Sequence, residues 1–294
     1  MRMLLLCCLS LLVACQSRGV LPPPGPIAPE GRDYADLGLI VDLHSGEAIS
    51  PEQLVKRLSA ASRVLVGEQH DNPDHHALQL WLSRELSAQR PQGSLLMEMI
   101  SPDQQARVER AQEEARAGQP PVDAIQALAW QPGWDWSMYG ALVQYQLRQP
   151  YPLLAANLDR DEVMQIYRQR PLLQGRASTA AIVREKLLGD IRESHCGLLP
   201  DSQIPAMLSV QQQRDRRMAE ALLAAAQPSL LLAGAFHVRK DLGVPLHLAD
   251  LDAGEGNVVL ILAEVGREVE ASMADYVWFT AAQPEQDHCA KLRP

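Results

Sequence analysis

Two tetrapeptides of the form Gly-x-x-His, at 67–70 and 234–237, each follow an apolar run that is typical of a buried strand. Glycine permits the tight turn with which a strand ends. The histidine then lies at the carboxyl edge of the sheet, where open α/β sheets bind ligands. A neutral imidazole binds metal ions and can act as a general base. The two motifs therefore predict one shared site that contains His70 and His237.

Two further apolar strands end in a polar side chain. Glu98 ends a run that is otherwise apolar, and Asn157 ends the next strand in the same way. Because an unpaired buried charge is unfavourable, a carboxylate in this setting is either paired or at a functional edge. Together with His70 and His237, these residues place a ligand-binding side chain at each of four strand ends.

The first motif continues into a histidine pair at the start of a predicted helix. His75 and His76 lie in its first turn, where the helix macrodipole disfavours the protonated imidazole. Neutral imidazole is the form that binds metal, so both residues are candidate ligands; the alternative is that both are solvated. Asn72 and Asp74 are predicted to cap the same helix.

Charged and polar residues also accompany the second motif. Arg239 follows His237 and is a candidate for binding an anionic group such as a carboxylate, whereas Lys240 is either that or a solvated loop residue. Gln211, Arg214 and Met218 share one face of a predicted helix, which a contact between two helices explains.

The stretch 130–139 holds three of the five tryptophans and ends in Tyr139. Such a cluster either walls a flat hydrophobic ligand or anchors helices to the core. The second role is the more frequent one.

Strands that alternate with helices predict an α/β fold, with a mostly parallel sheet flanked by helices. A helical lobe over about 161–226 is predicted to be inserted before the last core strands. The predicted strands are 39–43, 63–67, 94–99, 152–157, 228–233, 258–264 and 276–279. The predicted helices before the lobe are 50–60, 72–88, 102–117, 121–129 and 137–148.

The N-terminus reads as a cleaved signal peptide over 1–14, because a short apolar stretch follows Arg2 and ends in a small residue. The cysteine that comes next, Cys15, resembles that of a bacterial lipobox, which implies cleavage before it and its lipidation. Residues 15–32 are rich in proline and are predicted to form an extended tether. The domain itself is predicted to span 33–294.

Of the five cysteines, Cys196 and Cys289 alone remain after the signal peptide is removed and Cys15 is lipidated. In an oxidising envelope this pair either forms a disulfide, which we favour, or stays as two free thiols. The apolar fraction of 47% suffices for a packed core, and the net charge of −9 argues against a nucleic-acid partner.

In and around the candidate site residues, the sequence resembles the ChaN family of haem-binding lipoproteins. This family lies in a wider group with TIKI-type and erythromycin-esterase-like proteins. The motifs that carry the resemblance are 67–76, 97–99, 133–139, 156–157, 195–197, 211–219, 234–237 and 243–245.

The resemblance implies a haem-binding protein of the bacterial cell envelope that assists haem or iron acquisition, anchored by lipid in the outer membrane. Because the sequence has no Cys-x-x-Cys-His, the haem is expected to be bound non-covalently. The candidate axial ligands are His70, His75, His76, His237 and Tyr139, and the sequence does not choose among them. A homodimer and an outer-membrane haem transport system are expected partners.

The TIKI relatives suggest an alternative, a metal-dependent peptidase or esterase. In that case a divalent metal is held by His70, Glu98 and His237, and Glu68 or Glu98 is the catalytic carboxylate. A non-enzymatic haem-binding protein remains the favoured interpretation. The third alternative is a scaffolding lipoprotein.

Overall fold

A computed structural model describes residues 19–287, 289 and 290. The predicted signal peptide and Cys15 lie outside these residues. Within them, no helix is both long enough and apolar enough to cross a membrane.

A single eight-stranded sheet forms the centre of the molecule. The strands are β1 (Ile40–Asp42), β2 (Glu47–Ile49), β3 (Arg63–Glu68), β4 (Ser94–Met97), β5 (Leu153–Ala155), β6 (Ser229–Gly234), β7 (Asn257–Glu264) and β8 (Tyr276–Thr280). Their order is β2-β1-β8-β7-β3-β6-β4-β5. The strands from β8 to β5 are parallel to one another, whereas β1 pairs antiparallel with both β2 and β8. The mostly parallel sheet is confirmed.

Helices connect the strands. They are α1 (Pro51–Ser59), α2 (Pro73–Gln89), α3 (Gln105–Arg116), α4 (Ala124–Ala127), α5 (Trp136–Leu147), α6 (Arg160–Gln169), α7 (Ala181–Ser194), α8 (Ile204–Ala224), α9 (Ala235–Val238) and α10 (Val244–Asp250). Two helices begin at capping residues that the sequence predicts. The side chain of Ser50 caps α1 by accepting a hydrogen bond from Gln53 N, and that of Asn72 caps α2 by accepting one from Asp74 N.

The sheet is buried on both faces. Alternate residues along each central strand point in opposite directions, so that Val66 lies in one core cluster and Leu65 in the other. The first cluster joins the sheet to α1, α2, α3 and α5, and the second joins it to α8 and α10. This three-layer packing explains the continuous apolar runs that precede both Gly-x-x-His motifs.

The helical segment between β5 and β6 is only partly separate from the sheet. Val183, Leu187 and Leu208 form a small cluster where α7 packs against the first half of α8. Met218 and Leu222, in the second half of α8, belong to the core cluster on the sheet. The helix α8 therefore links the predicted lobe to the sheet.

The edge strand β2 was not among the strands predicted from the sequence. This strand has three residues, of which Ile49 alone is buried, so it shows no alternation that a sequence pattern could reveal. The antiparallel pairing of β1 is likewise set by tertiary contacts.

The described part of the proline-rich segment is not a free tether. The indole of Trp81 donates to Leu21 O at 3.0 Å, and Leu21 N donates to Glu85 Oε2 at 3.2 Å. Further along, Ala28 N donates to Asp74 Oδ2 at 3.1 Å. The segment predicted to be an extended tether thus lies against α2, which offers polar side chains at positions that no local pattern reveals.

Cys196 and Cys289 form a disulfide, with 5.8 Å between their Cα atoms. The bond joins the C-terminal segment to the turn that follows α7, across 93 residues of sequence.

Candidate functional site

The carboxyl ends of three adjacent parallel strands bring the two Gly-x-x-His motifs together. Glu68 at the end of β3 pairs with Gly234 at the end of β6. A Cβ atom on Gly234 would lie 3.0 Å from Nε2 of His70 and 3.5 Å from Oε2 of Glu98. The imidazole of His70 thus packs directly on the bare backbone of Gly234, beside Glu98. This close approach is the physical reason for glycine at that position.

His237 lies between two buried carboxylates. Its Nε2 is 3.3 Å from Oε1 of Glu98, and its Nδ1 is 2.5 Å from Oδ1 of Asp215 on α8. Gln211, one turn earlier on α8, lies 3.2 Å from the same Nδ1. The other oxygen of Glu98 accepts a hydrogen bond from Gly234 N at 2.8 Å. Each ring nitrogen of His237 therefore has a carboxylate partner within the protein.

These contacts determine the charges in this half of the site. Burial by itself would lower the pKa of His237, but the charges of Glu98 and Asp215 raise it to about 10. Burial would raise the pKa of Glu98, but His237 lowers it to about 2. His237 is thus an imidazolium held between two carboxylates at neutral pH.

The second half of the site is centred on Glu68, which is buried. Its Oε1 is 2.9 Å from Nδ1 of His70 and accepts a hydrogen bond of 2.6 Å from the hydroxyl of Tyr139. Its Oε2 is 3.1 Å from Nδ1 of His76. Burial would raise the pKa of Glu68, but the contacts with His70 and His76 hold it below its usual range. In return, Glu68 raises the pKa of both histidines against the opposing effect of burial.

His70 is the site histidine that faces outward. Its side chain is 43% exposed, and its Nε2 has no hydrogen-bond partner among residues 19–287, 289 and 290. Its Nδ1 is oriented by Glu68, and Trp134 packs edge-on against the ring with 4.9 Å between ring centres. An oriented imidazole with a free nitrogen can bind a metal centre or accept a proton.

The adjacent histidines point elsewhere. His76 is 4% exposed, and its Nε2 lies 2.9 Å from the backbone oxygen of His70. His75 is fully buried; its Nδ1 accepts from Gln69 N at 2.8 Å and its Nε2 is 2.9 Å from Oγ1 of Thr280. Neither histidine is solvated, and neither has a nitrogen left for an external ligand. They were candidates because their first-turn position could not reveal these partners.

The hydroxyl of Tyr139 is also engaged within the protein, by Glu68. Tyr139 is 1% exposed, its hydroxyl donates to Glu68, and burial together with the charge of Glu68 raises its pKa far above the usual range. A phenol that stays protonated is a poor ligand for ferric iron. Of the tryptophans near it, Trp130 packs in the core, whereas Trp134 contacts the ring of His70.

Asn157 and Arg239 hold the surroundings in place. The amide of Asn157 donates to Glu98 O at 2.9 Å, so this residue positions the backbone of Glu98. Arg239 donates to Asp241 through Nε at 2.8 Å and through Nη2 at 2.6 Å, and Lys240 pairs with Asp275. Both cations already have counter-ions, so the expectation that Arg239 is free to bind an anion does not fit its contacts.

The donor set does not suit a metal ion held by His70, Glu98 and His237. Both ring nitrogens of His237 face a carboxylate, Asp215 at Nδ1 and Glu98 at Nε2, so neither nitrogen is directed at an open ligand position. In the described part of the chain, no group of three or more His, Cys, Asp or Glu side chains is arranged to hold a metal ion.

The most important residue that the sequence did not single out is Asp215. Gln211 was assigned with Arg214 and Met218 to a contact between helices, but it contacts His237 instead. The available signal was the four-residue spacing of Gln211 and Asp215, which puts an amide and a carboxylate on one helix face. Nothing local indicated that this face meets His237.

Comparison with known proteins gives one family match and several similar structures. Residues 54–248 match the family described as "Haem-binding uptake, Tiki superfamily, ChaN". The structure described as "Cofacial heme binding to ChaN of Campylobacter jejuni" matches with a TM-score of 0.76 and 30% identity, over 87% of this chain and 100% of that chain. No curated protein matches the sequence.

More distant structures match with TM-scores below 0.5. One is an erythromycin esterase mutant in its open conformation, with a TM-score of 0.47 and 13% identity over 87% of this chain and 85% of that chain. Another is a succinoglycan biosynthesis protein, with a TM-score of 0.45 and 13% identity over 72% of this chain and 68% of that chain. The family match spans more than half of the 294 residues, so the chain belongs to the ChaN family of the Tiki superfamily.

Proposed function

We propose that this protein binds haem non-covalently and that His70 is the axial ligand. The observation that carries the proposal is the free Nε2 of His70, on a side chain that is 43% exposed and oriented by Glu68. A carboxylate on the other ring nitrogen fixes the ring and raises its basicity toward iron. When bound, haem would supply an iron centre that accepts an imidazole nitrogen as a ligand.

The surface around His70 suits a flat ligand. Trp134 contacts the imidazole edge, and Phe236, directly before His237, is 60% exposed. An open apolar surface covers one face of a haem and leaves the other uncovered. The Campylobacter relative binds haem cofacially, as its description states, and we infer the same arrangement between two copies of this chain.

Haem titration of the protein lacking residues 1–15 tests the axial ligand. His70→Ala is expected to abolish or greatly weaken the saturable Soret change. His44→Ala is the matched control, because His44 is a second exposed histidine whose partner is Asp275. Equal titrations of wild type and His70→Ala would rule out His70 as the ligand.

Sedimentation of the same samples tests the arrangement of two copies. Haem is expected to convert a monomer into a dimer, and His70→Ala is expected to stay monomeric at the same haem concentration. A saturated, haem-loaded monomer would contradict the cofacial proposal.

We further propose that the protein is a lipoprotein of the cell envelope that assists haem or iron acquisition. The lipobox-like sequence that ends at Cys15 supports this location, and membership of a haem-uptake family supports the role. Metabolic palmitate labelling is expected in the wild type and not in Cys15→Ala. Equal labelling of the two proteins would contradict lipidation at Cys15.

A second candidate function is hydrolysis, with His70 as general base. The same oriented imidazole, paired with Glu68, is the observation that favours it. Ester or peptide hydrolysis that is lost in His70→Ala and persists in the presence of a chelator would establish it. If the protein binds haem and hydrolyses neither esters nor peptides, the hydrolase function is ruled out.

A further inference from the structure

The buried carboxylate of Glu264 has no cationic partner. Glu264 ends β7, the strand beside β3, and is 6% exposed. Across the residues that the structure describes, no lysine, arginine or histidine lies within ion-pair distance of it. A buried carboxylate without a counter-ion is unfavourable unless hydrogen-bond donors surround it, so its donors indicate its role.

Three N–H groups donate to one oxygen of Glu264. Its Oε1 accepts from Gln283 N at 2.8 Å, from Asn72 Nδ2 at 2.9 Å and from Gln69 Nε2 at 3.2 Å. Two of these donors belong to the loop 69–72, which connects β3 to α2 and carries the proposed iron ligand. The carboxylate therefore joins the end of β7 to that loop.

The other contacts of this loop are to neutral groups. Gln69 N donates to Nδ1 of His75 at 2.8 Å, and Asn72 Nδ2 also donates to Ala281 O at 2.9 Å. Of the described groups outside the loop that accept from Gln69 and Asn72, Glu264 carries the only charge. Because hydrogen bonds to a charged acceptor are the stronger ones, Glu264 is the main fixed point of the loop.

We propose that Glu264 is a positioning residue for His70, which holds the loop through Gln69 and Asn72 so that Nε2 of His70 stays directed at the haem iron. The inference rests on the proposed haem-binding function and adds how the ligand is held. Glu68 orients the ring through Nδ1, whereas Glu264 acts on the loop that carries the ring. A loop that is in its binding conformation for only part of the time lowers the apparent affinity by that fraction.

Glu264→Leu removes the acceptor and keeps a side chain of similar size. In the haem-free protein, hydrogen exchange at the amides of Gln69 and Asn72 is expected to accelerate about tenfold or more relative to the amide of Leu65 on β3. Haem affinity is expected to fall about tenfold, which corresponds to a loop that is in its binding conformation about a tenth of the time. The Soret band at saturation should keep its wild-type position, because His70 still supplies the ligand.

Two further variants test the same link. Glu264→Gln keeps an oxygen that can accept from the same donors, and it is expected to fall between wild type and Glu264→Leu in both measurements. Gln69→Ala removes one of the donors and is also expected to weaken haem binding. The loss in the double variant with Glu264→Leu should be smaller than the sum of the two single losses. If Glu264→Leu does not fold, Glu264→Gln and Gln69→Ala decide the question.

Two control variants separate positioning from general effects. Glu268→Gln removes a charge from an exposed position four residues later and should leave both measurements unchanged. Asp250→Asn removes a carboxylate whose backbone donors all lie in the turn 176–178. It should lower the melting temperature and leave haem affinity unchanged.

The possible failures are distinguishable. If the wild type does not bind haem, the proposed function falls, and the exchange rates at Gln69 and Asn72 still decide whether Glu264 holds the loop. If the wild type binds haem and Glu264→Leu matches it in affinity or in loop exchange, the inference alone is overturned. An equal loss of haem affinity in Asp250→Asn would assign the effect to general destabilisation and also overturn it.

Discussion

At the scale of single residues, the burial of each histidine determines its chemistry. His75 is buried without a carboxylate partner, and desolvation lowers its pKa to about 3. In the unfolded chain an ordinary histidine titrates near pH 6.5. Between these values the unfolded state binds a proton that the native state does not, so His75 makes the free energy of unfolding decrease as pH falls below about 6.5.

We therefore expect His75→Gln to show a shallower loss of stability than wild type between pH 6.5 and pH 4.5. The difference in slope should approach one proton, about 1.4 kcal/mol per pH unit. Urea denaturation over this range measures it. His44→Gln, at an exposed position, should keep the wild-type slope, and identical slopes for His75→Gln and wild type would contradict the argument.

A second residue-scale prediction concerns His237, whose pKa is raised to about 10 by Glu98 and Asp215. A raised pKa contributes stability that is complete below pH 6.5 and is lost as pH rises toward 10. Asp215→Asn removes one of the two charges and should lower the pKa of His237 by about one pH unit or more. NMR titration of the imidazole ring protons measures this change, and an unaltered titration would mean that Glu98 alone holds the proton.

At the scale of elements, Asp250 connects the end of α10 to the turn before α7. Its carboxylate accepts hydrogen bonds from Arg176 N, Ala177 N and Ser178 N at 2.7, 2.7 and 3.0 Å, and from the Ser178 hydroxyl at 2.6 Å. Burial would raise the pKa of Asp250, but these donors lower it to about 2. A Cβ atom on Gly175 would lie 2.2 Å from Asp250 Oδ2, so this turn requires glycine.

Asp250→Asn is expected to destabilise the protein at pH 7 by about 1.5–3 kcal/mol, the usual worth of hydrogen bonds to a charged group. Because the native pKa of Asp250 is depressed, its stabilising contribution is present above about pH 4 and is lost as pH falls through 2. Chemical denaturation at pH 7 measures the loss. Asp252→Asn, at an exposed neighbouring position, should be neutral; equal stability of both variants would show that the link between α10 and α7 contributes little.

At the scale of the whole molecule, the segment 20–28 runs along α2 from Glu85 to Asp74. Leu21 N donates a hydrogen bond to Glu85 at one end, and Ile27 N and Ala28 N donate hydrogen bonds to the carboxylate of Asp74 at the other. Eleven residues of helix span about 16 Å, and Asp74 belongs to the end of α2 that adjoins the site. Leu21 is six residues beyond Cys15, a reach of about 20 Å at most. Under the proposed lipidation, the domain is therefore held near the membrane, with the site at its distal end.

Asp74→Asn should release this segment. We expect faster hydrogen exchange at the amides of Ile27 and Ala28 and a loss of stability of about 1–3 kcal/mol, because a buried charged acceptor of two amides is removed. Asp33→Asn, at an exposed position in the same part of the chain, should leave both measurements unchanged. Rapid exchange of these amides in the wild type would contradict the docked segment.

Much of the fold followed from sequence patterns alone. The apolar runs before Gly67 and Gly234 predicted buried parallel strands, and the Ser50 and Asn72 caps predicted where α1 and α2 begin. These features depend on residues that are close in sequence, where hydrophobic periodicity and capping act directly. The strand-end position of His70, Glu98 and His237 was accessible for the same reason.

The roles of individual side chains depended on contacts between distant parts of the chain. Thr280 is the partner of Nε2 of His75, and Asp215 is the partner of Nδ1 of His237. Asp241 is the counter-ion of Arg239, while His70 keeps a free Nε2. The sequence by itself determined the elements and the edge at which the site forms. The tertiary structure alone decided which groups remain free there, because hydrogen bonds and charges depend on proximity in space that no local pattern specifies.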